Sequence, residues 1–144
     1  MNWKDEATEK LKKYDAMRIA TRNIPQELTR LEQVAKSLHS PNMDDPVQST
    51  NLRSREDSLL NNMVHRQELN FALQQAELWL DVTDRALGAL TPEEKLILHR
   101  LYIYPERGAI ERLCGELGIE QSSIYRKRDK ALHRFTLALY GTVS

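Results

Sequence analysis

Between Trp3 and Leu38, apolar side chains recur on alternating steps of four and three: Trp3, Ala7, Tyr14, Met17, Ile24, Leu28, Leu31, Ala35 and Leu38, with only Lys10 and Thr21 off the pattern. A repeat of this kind keeps one apolar seam on one side of a helix, so the stretch predicts a long helix of coiled-coil or bundle type. Pro25 lies inside the seam. Proline removes a backbone donor and crowds the preceding turn, yet the register runs on through it, whereas a hairpin turn would shift it. The expectation is one kinked helix.

From His39 to Ser54 periodicity stops, and Pro41, Asn42, Asp44, Asp45, Pro46, Ser49 and Asn51 supply turn chemistry. A loop is expected at 39–54, with Met43, Val47 and Leu52 available to pin it. A second helix should follow from about Arg55 to Ala89, its seam formed by Leu59, Leu69, Leu73, Ala76, Leu80 and Leu87 with Asn62, Arg66 and Thr83 as polar interruptions. Two amphipathic helices of nearly equal length joined by a loop fold back on each other, which predicts a long antiparallel helical hairpin over 1–89. Phe71, Leu78, Val82, Ala86 and Ala89 form a second flank on this helix, with Trp79 between the stripes. The apolar surface is therefore wider than one partner helix covers. It can meet the C-terminal domain of the same chain, or form a homodimer through the long helices.

Thr91-Pro92-Glu93-Glu94 marks a helix start, with Thr91 as N-cap, Pro at the first position and Glu94 completing a capping box; this helix should run through Ile103 and end at Tyr104-Pro105. Next, Ile110, Leu113, Cys114 and Leu117 form a short amphipathic helix that stops at Gly118. Glycine can take the left-handed conformation that ends a helix, and Ile119 can plug the angle between two crossing helices. The third segment, Gln121–Arg134, carries Arg126, Lys127, Arg128, Lys130 and Arg134 against the single acid Asp129. Ile124, Ala131, Phe135 and Ala138 share one side of it, and Ser122, Arg126, Asp129 and His133 the opposite side. Helix, Gly-Ile turn, basic helix is the order of a helix-turn-helix, giving a domain at 90–144 after the arm.

The chain has 144 residues, only five glycines and two phenylalanines, and no strand-like alternation, so the fold class expected is all-α. Formal net charge is zero, which excludes a global field drawing the protein onto polyanions and confines any electrostatic footprint to the basic helix. The single Cys114 forms no internal disulfide and fits the inward stripe of its helix as a small apolar side chain. The four histidines, His39, His65, His99 and His133, lack metal-ligand spacing, and there is no phosphate-cradling glycine loop or nucleophile elbow. No enzyme activity, metal or cofactor is expected. Residues 1–13 are charged, and no apolar run approaches a membrane span, so a soluble protein of a reducing cytoplasm is expected, with no membrane partner.

Helix geometry assigns the reading face. Gln121, Ser122 and Arg126 lie nearest the end expected to enter a major groove, with Ser123 beside them, and Tyr125, Lys127, Lys130 and Arg134 flank them as phosphate contacts. Leu90 to Glu94 through Tyr102, Ile110 to Gly118-Ile119, Ser122 to Arg126 and Lys130-Ala131-Leu132 together resemble region 4 of sigma-70-type factors, the module that in that family places a helix in the major groove of a promoter element. Leu11 to Asp15, Asp45 to Ser49 and Leu139-Tyr140-Gly141 resemble small phage-encoded ArpU/RinA-like late-transcription regulators. Where the sigma pattern usually has a Ser cap, this chain has Glu120.

The resemblance implies a phage-type, sequence-specific DNA-binding transcriptional regulator in a bacterial host cytoplasm, nucleoid-associated. Its partner would be double-stranded DNA, with RNA polymerase as a further candidate. Two alternatives stand beside it: a phage DNA-packaging recognition subunit, and a protein-binding helical adaptor without DNA binding.

Overall fold

A computed structural model describes residues 2–39 and 49–143, the side chains of 49–51 excepted. Within them every regular element is helical, and no helix is long and apolar enough to cross a membrane. The elements are α1 (Trp3–His39), α2 (Ser49–Gly88), α3 (Pro92–Leu98), a π-helical turn (His99–Ile103), α4 (Ala109–Leu117) and α5 (Gln121–Tyr140).

Asn2 starts α1, its Oδ1 accepting from the Asp5 amide at 2.9 Å as an N-cap. The helix continues through Pro25 without interruption, as the unbroken register predicts. All nine seam residues are buried or half-buried, but the seam missed Leu11, which is fully buried. Between Ala7 and Tyr14 the helix takes the step of four before that of three, so Leu11 faces inward in place of Lys10.

Helix α2 begins at Ser49 rather than near Arg55, which shortens the expected 39–54 loop. Ser, Thr and Asn are weak helix formers, but unlike proline they keep the backbone donor that a helix needs. Leu52, expected to pin the loop, is instead exposed on the helix. Pro41, Met43, Asp45 and Val47 lie outside the described residues.

The chain divides into two compact units, one formed by residues 1–18 with 78–144 and the other by 19–77. The sequence-based boundary at 89/90 follows the end of α2; the compact units are drawn differently because the first turns of α1 and the end of α2 share a core with the C-terminal helices. In that core Ala7, Leu11, Ala86, Leu90, Leu98, Ile103, Ala131, Leu132 and Phe135 pack together, with Trp3, Tyr14, Leu87, Tyr102 and Leu139 at its edge. The Tyr14 hydroxyl donates to Asp84 Oδ1 at 2.5 Å; that bond, with burial and the carboxylate charge, pushes the phenol pKa up to about 12.

Unit 19–77 has a thinner interior of Leu31, Ala35, Asn62 and Ala76, with Ile24, Leu28, Leu59, Leu69 and Leu73 half-buried. The buried Asn62 is engaged at both ends of its amide, its Nδ2 donating to the Leu31 carbonyl at 2.9 Å and its Oδ1 accepting from Arg66 Nε at 2.8 Å. The polar interruptions in the seam are thus satisfied hydrogen-bonding groups. Thr83, in the other unit, behaves likewise, donating to the Trp79 carbonyl at 2.7 Å.

Of the second flank on α2, Ala86 enters the core, while Phe71, Leu78 and Val82 stay exposed. Unit 19–77 also exposes Leu60, Met63 and Val64 on the same helix.

Candidate nucleic-acid interface

The capping box forms as the sequence predicts: the Glu94 amide donates to Thr91 Oγ1 at 3.2 Å, and Glu94 Oε1 accepts from the Thr91 amide at 3.0 Å. Beyond Leu98 the helix widens instead of continuing as α-helix. The Tyr104 amide reaches back to the His99 carbonyl at 2.9 Å, a five-residue step that accommodates one extra residue. Tyr104 then donates through its hydroxyl to Asp15 Oδ1 at 2.9 Å, tying the turn to the first part of α1.

Helix α4 ends at Gly118, whose φ of 65° is open to glycine and strained for other residues. The Gly118 and Ile119 amides both donate to the Cys114 carbonyl, at 2.9 and 3.3 Å, which closes α4 and turns the chain toward α5 within two residues. Ile119 packs against a second core cluster of Ile97, Leu113 and Ile124, joined by Leu96, Leu101, Ile110, Cys114 and Leu117. These residues come from α3, α4, the start of α5 and the turns beside them, so the cluster sets the angle at which α5 leaves the turn. Glu120 occupies the N-cap position of α5 with its carbonyl accepting from the Ser123 and Ile124 amides, and its side chain caps nothing. The first amides of α5 thus have no side-chain cap.

On α5, Gln121, Ser122, Tyr125, Arg126, Lys130 and Arg134 are exposed, and Ser123 and Lys127 half-buried. The expected inward stripe is buried at Ile124, Ala131 and Phe135 but not at Ala138; Leu132 and Thr136 are buried instead. The cause is a change of neighbour along the helix. Ile124 belongs to the cluster with α4, while Ala131, Leu132 and Phe135 belong to the core shared with α1 and α2, and the buried stripe rotates toward it.

The site residues sort into two groups. At the helix start Gln121 Nε2 donates to Tyr125 Oη at 3.3 Å, and Arg126 Nη2 donates to Ser123 Oγ at 3.1 Å. Along the side facing α3, Ser123, Arg126, Lys127, Lys130 and Arg134 line an open cleft of about 420 Å³ whose other wall is Thr91, Glu93 and Glu94. There Lys127 Nζ lies 3.0 Å from Glu93 Oε1, and Arg134 Nη1 3.4 Å from Glu94 Oε1. Arg128, part of the basic run but not of the expected site, stacks its guanidinium 4.9 Å from the Tyr125 ring centre and donates to Asp129 at 3.0 Å. Among the described residues, Arg126 and Lys130 are the arginine and lysine of α5 without a carboxylate partner.

Sequence reasoning missed two sets of neighbours. Glu93 and Glu94 read as helix-start residues, and nothing in their spacing signals that they face Lys127 and Arg134. On the opposite side of α5, Asp129 and His133 are not simply solvated, because α1 reaches each of them: Lys4 Nζ lies 3.4 Å from Asp129 Oδ2, and the Trp3 ring meets the exposed His133 edge-on at 5.6 Å. Burial pushes the Asp129 carboxyl up, but Arg128 and Lys4 outweigh it and hold the pKa below the usual aspartate value.

Cys114 is a half-buried free thiol in the second cluster, and the described residues contain no group of side chains able to hold a metal ion. Compared with known proteins, the chain matches no family model, no curated protein and no solved structure.

Proposed function

We propose that this protein is a sequence-specific DNA-binding transcriptional regulator, in which α4 and α5 act as a helix-turn-helix and residues 121–134 enter the major groove. The observation that carries this reading is the turn at Gly118. It joins a short helix to a helix whose opening turns expose Ser122 and Arg126, the latter bonded to Ser123 but to no carboxylate among the described residues, with Lys130 one turn further along. The resemblance to sigma-70 region 4 and to phage late regulators supports the same reading. In it, α1 and α2 form an antiparallel hairpin arm, and DNA is the primary partner, with RNA polymerase a second. Leu60, Met63, Val64 and Phe71 on α2 favour a homodimer through the long helices, since an exposed apolar stripe on a regular helix suits a second copy of itself.

The test compares two exposed cations. Arg126 can pair two acceptors on a guanine edge, so Arg126→Ala should cost about 1–3 kcal/mol on the cognate duplex and relax preference at one base position. Lys130→Ala should weaken all sequences alike and lower the salt slope by about one. Equilibrium titration on cognate and random duplexes across salt concentrations reads both. Equal losses for Arg126→Ala on the two duplexes would reduce it to a phosphate contact, and undiminished binding by both variants would move the site off α5.

A second reading, a protein-binding adaptor, is favoured by the pairing of nearby cations with carboxylates: Arg100 with Glu116 and Arg112 with Glu106, each at 3.0 Å. That reading expects no retention on duplex DNA even at low salt.

A further inference from the structure

The cleft between α3 and α5 sets two acids against the basic side of the proposed reading helix, and the two are not equivalent. Glu94 is fixed: it is buried, its Oε1 closes the capping box and meets Arg134, and its Oε2 has no hydrogen-bond partner among the described residues. Glu93 has no structural bond of this kind. Its described partner is Lys127, at 3.0 Å, and both side chains are 39% exposed.

We propose that Glu93 is an intramolecular competitor of the DNA backbone, occupying Lys127 in the free protein and yielding it to a phosphate on binding. This rests on the DNA-binding reading of α5. The chemistry of the exchange is simple. A carboxylate and a phosphate oxygen are alternative anionic acceptors for the same ammonium group, and a half-exposed ion pair contributes little enough to be displaced. Until displacement, Lys127 adds little to the local positive field, because the carboxylate neutralises it. Glu93 therefore lowers backbone affinity on every sequence alike, leaving discrimination to the groove-facing residues. In a chain of zero net charge, the number of cations free to meet phosphate sets non-specific binding.

The experiment uses the full chain and four proteins: wild type, Glu93→Gln, Lys127→Ala and the double variant, titrated on cognate and random duplexes over a range of salt. Glutamine keeps the shape of the second helical position, and circular dichroism with thermal unfolding checks that all four fold alike. Glu93→Gln should bind about three- to tenfold more tightly at low salt, equally on both duplexes, with a salt slope steeper by about one. Lys127→Ala should weaken binding to both duplexes alike, and the double variant should bind no more tightly than Lys127→Ala alone, so that the gain from Glu93→Gln disappears without the lysine. That non-additivity is the signature of displacement, which general loss of an acid would not produce. Wild-type binding with no gain in Glu93→Gln, or a gain that survives Lys127→Ala, overturns this inference and leaves the DNA reading standing. Absence of DNA binding by all four overturns both.

Discussion

A chain lacking residues 2–18 should fail to fold its C-terminal half, even though every proposed DNA contact lies beyond residue 120. Ala7 and Leu11 belong to the same core as Leu98, Ile103, Leu132 and Phe135, and removing them opens that core to water. The deletion also breaks the Tyr14–Asp84 and Tyr104–Asp15 hydrogen bonds and the Lys4–Asp129 ion pair. The single substitution Leu11→Ala isolates the packing part. Leu11 has no exposed surface, so its truncation should lower the unfolding free energy by about 2–5 kcal/mol, the range for emptying a packed leucine site. Chemical denaturation followed by circular dichroism measures it. A change within error for Leu11→Ala, or cooperative unfolding of a fragment beginning near Leu90, would contradict a core shared between the chain's two ends.

Ile124→Ala should have an effect of similar size through a different cluster. Ile124 is fully buried with Ile97 and Leu113, one turn into α5 and beside the Gly118-Ile119 turn. Its loss should cost about 2–5 kcal/mol by leaving a cavity where α3, α4 and α5 meet. It should also loosen the angle between α4 and α5, so DNA affinity should fall at temperatures where the variant is still folded, although Ile124 itself is shielded from solvent. Thermal unfolding and duplex titration of the same sample separate the two effects. A variant with wild-type stability would remove this cluster as the determinant of the turn.

Much of the fold was legible because it rests on local rules. The heptad steps locate the inward side of α1, the Thr91–Glu94 spacing locates the start of α3, and Gly118 locates the turn before α5. What escaped the sequence depends on tertiary neighbours. Leu11 was missed because either step between Ala7 and Tyr14 keeps the period, and only the packing of Leu132 and Phe135 against that region decides between them. Ala138 was expected inside because a straight stripe was extended along α5, whereas the stripe rotates when its neighbours change from α4 to α1 and α2. The π-helical turn at His99–Ile103 leaves no periodic signature, since five residues are too few to shift a pattern. At the candidate site, sequence placed the exposed residues of α5 but could not pair Lys127 with Glu93 or Arg134 with Glu94, because those contacts bring together positions more than 30 residues apart.

If α5 reads base sequence, as proposed, the chain of 144 residues should select duplexes from a random pool. One motif should be enriched, with Arg126→Ala losing preference at one position of that motif and keeping the others. A pool that remains random after repeated selection at low salt, with no duplex retained above background, would contradict that reading.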